Sequence, residues 1–163
     1  MEIERKFTIK ELPKDLDRYP VHVIEQAYLN IDPVVRVRRQ DDEFYMTYKG
    51  RGMMEREEHN LPLNKDSYYH LLEKADGNII SKKRYLIPLE NPQFAKDGPR
   101  PPEGYSLTIE LDVFDPPFAP LVLAEVEFGS KSAAESFLPP DWFLEDVTYN
   151  AAYHNSYLSM RKL

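Results

Sequence analysis

The chain contains no cysteine. Disulfide frameworks, thiolate nucleophiles and cysteine-type zinc sites are therefore excluded, and the composition agrees with a reducing compartment. Nor is there an apolar run of membrane-spanning length, and the opening MEIERKF lacks the apolar stretch of a signal peptide. We expect a cytoplasmic protein with no membrane partner. Positive charge is short as well: 21 Lys and Arg stand against 28 Asp and Glu, a formal net charge of -7. Without a global positive field to gather phosphates, nucleic acid is not an expected partner. Any bound anion has to be met by a local cluster. Repeats of solenoid length and low-complexity tracts are also missing.

What is present is alternation. At 163 residues we expect one domain, 1–163. The segments IEQAYLNI, PVVRVRRQ, FYMTYKG, IISKKRYLIPL, SLTIELDVF and LVLAEVEF repeat with a period of two, the signature of strands. Asp41-Asp42 turns residues 34–50 into a hairpin, and MMEREEHNLPL reads as a weaker strand. Two to three helices are predicted. One runs through YYHLLEKA from a cap at Asn64 or Asp66 to Gly77; one lies in SKSAAESF with capping-box spacing of Ser132 and Glu135; the last follows Thr148 or Asn150. PLENPQFAKDGPRPPEGY, rich in proline and glycine, reads as a long surface loop.

The polar faces of these strands are segregated by sign. Arg36 and Arg38 share one strand, Lys82 and Arg84 another, Glu110 and Asp112 a third, Glu125 and Glu127 a fourth, while Glu2, Glu4 and Lys6 alternate at the start. Any one such strand is accounted for by an ordinary sheet with one solvated face. The set is different. Two carboxylates 4 Å apart repel by about 4 kcal/mol at an effective dielectric near 20, so several converge only with cations among them. A mainly β (α+β) fold whose sheet closes with its charges inward would provide that arrangement. By the same parity Arg5, Arg39 and Lys83 point outward and read as solvated, whereas Tyr28 and Tyr45 share the charged face.

These residues, in order, resemble the CYTH superfamily of triphosphate tunnel metalloenzymes: Glu2-x-Glu4-x-Lys6, QAYL, Arg36-x-Arg38, TYKG at Lys49, Arg56-x-Glu58, Lys82-x-Arg84, ELDVF at Glu110 and Asp112, and EVEF at Glu125 and Glu127. The likeness is greatest to the small bacterial branch. It implies a closed antiparallel eight-stranded β-barrel forming a tunnel with a charged lumen and peripheral helices. It also implies phosphate binding by Lys6, Arg36, Arg38, Lys49, Arg56, Lys82 and Arg84. Mg2+ or Mn2+ would be held by Glu2, Glu4, Glu125 and Glu127, with Glu58, Glu110 and Asp112 as second candidates. Catalysis would fall to Glu4, Lys6, Arg38, Lys82 and Glu127 in a monomer or homodimer. The expected reaction is metal-dependent hydrolysis of tripolyphosphate or a related small-molecule triphosphate by an activated water. A class IV adenylate cyclase-like activity and a noncatalytic polyphosphate or nucleotide binder are the alternatives. Two departures from the family pattern stand out: Asn60, where relatives often carry an acid, and Ala151-Ala152, where they often carry a base. The last helix is expected as a lid or plug. His22, His59, His70 and His154 read as surface or packing residues, with His59 and His154 able to approach a tunnel mouth.

Overall fold

Alternation does produce strands. In the computed structural model, which describes all 163 residues, the order is β1 (Glu2–Ile9), β2 (Val21–Ile31), β3 (Val34–Gln40), β4 (Glu43–Lys49), β5 (Glu55–Arg56), β6 (Glu58–Leu63), α1 (Lys65–Leu72), β7 (Asp76–Glu90), β8 (Gln93–Phe94), β9 (Ser106–Phe114), β10 (Val122–Glu127), α2 (Lys131–Ser136), β11 (Phe137–Leu138), β12 (Phe143–Asp146) and α3 (Asn155–Met160). Every strand pair is antiparallel.

The sheet curls on itself. Its path β1-β10-β9-β7-β2-β3-β4-β6 returns to β1 because β5, one residue before β6, pairs Arg56 with Glu2. Counting β5 and β6 as one bent strand gives eight staves and a nearly closed barrel, as expected. β12 lies outside the circuit, along the second half of β1. Closure inverts the usual disposition of a half-buried sheet. The outward faces of β1, β7, β9 and β10 carry Phe7, Ile87, Ile109, Leu111, Ala124 and Val126, and these are covered by Ala133 and Ala134 of α2, Phe137 of β11 and Phe143 of β12. Fully burying a side chain such as Leu111 is worth about 1.5–3 kcal/mol. The apolar contribution therefore comes from outside the barrel, leaving its interior free for polar groups.

One end of the interior is apolar too. Ile80, Phe114 and Leu123 stand opposite Gln26, Lys82 and Asp112 in register, so they share the inward face. They cluster with Val147 and with Leu158 of α3. The C-terminal helix thus closes this end, in agreement with the plug expected for it. Its seat depends on a glycine: Gly77 has φ 72, and a Cβ there would run into the Ser159 carbonyl. Asn78 Nδ2 ties the helix down by donating to the carbonyls of Leu158 (3.2 Å) and Arg161 (2.7 Å).

Several local expectations are corrected. Gly77 does not end α1, which stops at Leu72, but lies at the start of β7. Ser130 rather than Ser132 caps α2, accepting from the Ala133 amide at 3.1 Å. The last α-helix begins at Asn155; Asn150 instead caps a 3-10 turn at Ala151–Tyr153. The proline-rich loop is shorter than its composition suggests, since β7 runs to Glu90 and β8 pairs with β11. Arg5 points outward but is not solvated: Nη1 donates to the carbonyls of Ala134 and Phe137 (both 2.9 Å), Nη2 pairs with Asp146 at 2.8 Å, and the guanidinium lies 4.9 Å from the Phe7 ring centroid. An arginine that clamps a helix end gives the same period-two signal as one in water.

Candidate active site

Register aligns the inward side chains in rungs. Gln26, Arg38 and Tyr45 are direct neighbours across β2, β3 and β4; Tyr28, Arg36, Thr47 and Asn60 form the next rung; Lys49 and Glu58 the next. On the other wall Lys6, Glu125 and Glu110 are neighbours across β1, β10 and β9, and Glu4 faces Glu127. Between them lies a cavity of about 230 Å³ lined by 20 residues, of which only Tyr28, Val34 and Tyr45 are hydrophobic.

Twelve of the fourteen ionisable residues singled out from the sequence line this cavity. Glu2, Glu4, Lys6, Arg36, Arg38, Lys49, Arg84 and Glu125 do so from buried positions; Arg56, Glu58 and Glu110 are half-buried; Glu127 is exposed at the mouth. Lys82 and Asp112 lie beyond the cavity wall, both fully buried, with Lys82 Nζ 2.7 Å from Asp112 Oδ2. Parity along a strand gives the face of a residue but not its depth. Asp112, put forward as a second-choice metal ligand, has both oxygens occupied, Oδ1 by Arg84 Nε (2.7 Å) and Oδ2 by Lys82 and Arg84 Nη2 (2.9 Å). Lys82 also donates to Asn155 Oδ1 at 3.2 Å, so it supports the C-terminal segment from beneath.

The remaining cations fall into two groups. Lys6 is 3.3 Å from Glu125; Lys49 is 3.0 Å from Glu2 and 3.3 Å from Glu58; Arg84 meets Glu110 (2.8 Å) and Glu125 (3.3 Å) besides Asp112. Arg56 Nε is 3.5 Å from Glu2, close enough to feel its charge without making the hydrogen bond. Arg36 and Arg38 have no carboxylate in reach. Arg38 Nε donates to Gln26 Oε1 (2.8 Å) and Arg36 Nη2 to Thr47 Oγ1 (3.0 Å), while Arg36 Nε is buried with no partner. Burial, then the charges of Arg36 and Arg84, pulls the Arg38 pKa below its ordinary value. An anion placed there would relieve that repulsion.

The acids divide in the same way. Burial works to raise Glu125, Asp112 and Glu58, but nearby cations overcome it at Glu125 and Asp112, which sit below the carboxylate range, and a hydrogen bond with Glu2 together with the Lys49 ammonium takes Glu58 down to about 2. Glu4 has no ion pair. Burial, with Glu125 and Glu2 adding repulsion, pushes it up to about 8. Burial followed by Glu2 and Glu110 raises Glu127. His154, which also lines the cavity, is held near 4 by burial and the Lys6 charge, and its Nε2–H donates to the Thr148 carbonyl at 2.8 Å. It is a neutral wall residue at physiological pH. Its place in the lining agrees with the approach to a tunnel mouth expected of it, whereas Gln26 and Thr47 could have been found by extending the lumen parity to uncharged polar residues.

A divalent metal fits this donor set in a specific way. No three acidic or histidine side chains are gathered closely enough to ligate one ion together. Mg2+, and Mn2+ with similar preferences, is commonly held by one or two carboxylates plus waters and phosphate oxygens, and Glu4 and its facing neighbour Glu127 are the two cavity carboxylates without an ion pair. The total charge argues likewise. Six acids and six bases line the cavity, so a polyanion entering it meets little surplus positive charge beyond that left by protonation of Glu4 unless cations come with it.

Comparison with known proteins agrees with this geometry. The family model described as CYTH domain matches residues 1–135. An inorganic triphosphatase of Nitrosomonas europaea is 34% identical over 163 residues, covering 98% of this chain and 97% of the relative. A crystal structure of an inorganic triphosphatase superposes with TM-score 0.66 at 32% identity, covering 99% and 96% of the two chains. A protein of Pyrococcus horikoshii OT3 matches at TM-score 0.55 and 18% identity over 83% of each chain, a likeness of fold alone. With the charge-lined barrel and the ordered lumen residues already in hand, these matches settle the family: the chain belongs to the CYTH domain proteins.

Proposed function

We propose that this protein is a divalent-metal-dependent triphosphatase that hydrolyses inorganic tripolyphosphate to orthophosphate and pyrophosphate. One observation carries the reading. The two cations without counter-ions, Arg36 and Arg38 on β3, lie four staves from β10 in either direction around the barrel, hence across the lumen from the wall that holds Glu4 and Glu127. Similarity to an inorganic triphosphatase over nearly the whole of both chains supports it. Mg2+ or Mn2+, when bound, would neutralise phosphate oxygens and lower the pKa of a water; Glu4 and Glu127 would hold it, with Glu2 and Glu125 beside them. Arg36 and Arg38 would grip one end of the phosphate chain through their forked donors. Lys6, Lys49, Arg56 and Arg84 would share their charge between the carboxylates and the leaving group. No protein nucleophile is required. The polar wall supports a bare inorganic chain over a nucleotide, since Tyr28, Val34 and Tyr45 make no continuous apolar surface for a base.

The test is phosphate release from tripolyphosphate, ATP and thiamine triphosphate, each with Mg2+, Mn2+ or chelator. Metal-dependent release from tripolyphosphate is expected. Cyclic AMP from ATP would favour the cyclase, and tight metal-independent binding without turnover would favour a binder.

A pH dependence follows from Glu4. Its pKa in the fold, about 8 against an ordinary 4.5, means that folding favours the protonated form. That contribution is complete below about pH 4.5 and is lost as pH rises through 8, at about 1.4 kcal/mol per unit at most. Metal-free wild type should lose thermal stability relative to metal-free Glu4→Gln between about pH 5 and pH 8, a comparison that cancels the opposite slopes of Lys82 and His154, and Mg2+ should restore more of it at the higher pH, with proton release on binding near pH 7. Scanning calorimetry of the two proteins with and without Mg2+ measures both; parallel metal-free profiles would contradict the assignment. The depressed groups Glu58, Asp112 and Glu125 act in a separate window, losing their contribution only in acid.

A further inference from the structure

The seven basic residues of the lumen are treated unequally. Lys6, Lys49, Arg56, Lys82 and Arg84 each have a carboxylate within ion-pair distance. Arg36 and Arg38 are as deeply buried as these, yet every polar side chain hydrogen-bonded to them is neutral. Gln26, fully buried and directly opposite Arg38 in register, accepts from its Nε at 2.8 Å and turns its own amide towards Tyr28 OH at 3.5 Å. Thr47, also fully buried, accepts from Arg36 Nη2 at 3.0 Å and donates its hydroxyl to Asn60 Oδ1 at 2.6 Å. In both places a carboxylate of the same shape would accept the same hydrogen bond. It would also cancel the charge.

We propose that Gln26, and Asn60 acting through Thr47, are positioning residues that fix Arg38 and Arg36 while leaving both guanidiniums unneutralised, and so set the affinity of the lumen for the phosphate chain. The inference rests on the tripolyphosphate reading and adds residues to it. A buried amide supplies geometry without an opposing charge, whereas glutamate at position 26 would form with Arg38 the kind of pair that Asp112 forms with Arg84. The two arginines stay available because their neighbours are uncharged.

The experiment compares wild type with Gln26→Glu, Asn60→Asp and, as a charge control on the outer surface, Lys83→Glu. Calorimetric titration with tripolyphosphate in chelator gives Kd, and steady-state rates with Mg2+ give KM and kcat separately. Gln26→Glu should raise Kd and KM roughly tenfold or more, the scale of one charge-assisted hydrogen bond, with a smaller change in kcat and no fall in Tm. Asn60→Asp should act in the same direction, and it decides the matter should Gln26→Glu fail to fold, because its side chain is exposed. Lys83→Glu, which removes two units of charge balance from an exposed site, should leave KM alone. Unchanged Kd and KM in a folded Gln26→Glu and in Asn60→Asp would overturn this inference while leaving the triphosphatase reading in place. A wild type that neither binds nor cleaves tripolyphosphate would overturn both.

Discussion

Glu4→Gln is expected to slow tripolyphosphate hydrolysis by at least about a hundredfold, while binding of tripolyphosphate in chelator is unchanged or tighter. The two effects separate because the substitution preserves shape and removes only charge. Glu4 is buried beside Glu125 and Glu2 with no cation of its own, so it is the carboxylate most in want of a positive partner. An amide oxygen is a weaker ligand for a hard cation. In the metal-free protein Glu4 is largely protonated below about pH 8, so the amide changes little for the incoming anion at neutral pH and lessens its repulsion above that. Rates with Mg2+ and calorimetry without it provide the two readings, and Glu135→Gln, exposed on α2, should behave as wild type. The same variant should lack the loss of metal-free stability that Glu4 contributes between about pH 5 and pH 8. Wild-type turnover in Glu4→Gln would remove Glu4 from the chemistry.

Asp112→Asn should unfold much more easily, by about 3–5 kcal/mol or roughly 10 °C in Tm. Asp112 and Lys82 are wholly inaccessible, and the carboxylate also receives Arg84. Neutralising the acid leaves two buried cations, of which Arg84 keeps Glu110 and Glu125 but Lys82 keeps only the Asn155 side chain. Lys82 is already pulled down to about 7, chiefly by burial, and without Asp112 it would give up its proton. The loss should therefore be smaller at about pH 9 than at pH 6, and Lys82→Met in the same chain should recover part of it. Urea denaturation at the two pH values checks this. Equal stability of Asp112→Asn and wild type would mean that the pair contributes nothing net.

The contrast between these two acids shows what a sequence reveals and what it conceals. Glu4 and Asp112 look alike in a period-two pattern, both inward and both among charged neighbours. Alternation was enough to read the strands and the shared polar face of each, because side-chain parity in a strand is local; that they close into an eight-stranded barrel was implied by the resemblance to the CYTH superfamily that the ordered acid and base pairs carry. Depth is not local. Whether Asp112 borders water or is sealed depends on Val147, Asn155 and Leu158, brought from the far end of the chain to fill one end of the lumen. Capping was misread as well: Ser130 and Ser132 both suit the start of α2, and it is Ser130, in extended backbone, whose side chain accepts from the Ala133 amide. Arg5 was hidden because its partners, the carbonyls of Ala134 and Phe137, lie more than a hundred residues away.

The even matching of acids and bases inside the barrel has a kinetic side. Since the cavity lining cancels by formal count, the formal -7 of the chain resides on the remainder of the molecule. A multiply charged anion diffusing towards it thus meets repulsion at long range and finds attraction only on reaching Arg36 and Arg38. Capture is gated by the last few ångströms rather than steered from afar, and dissolved salt, by screening the outer shell, quickens arrival where it slows most encounters between an anion and its receptor.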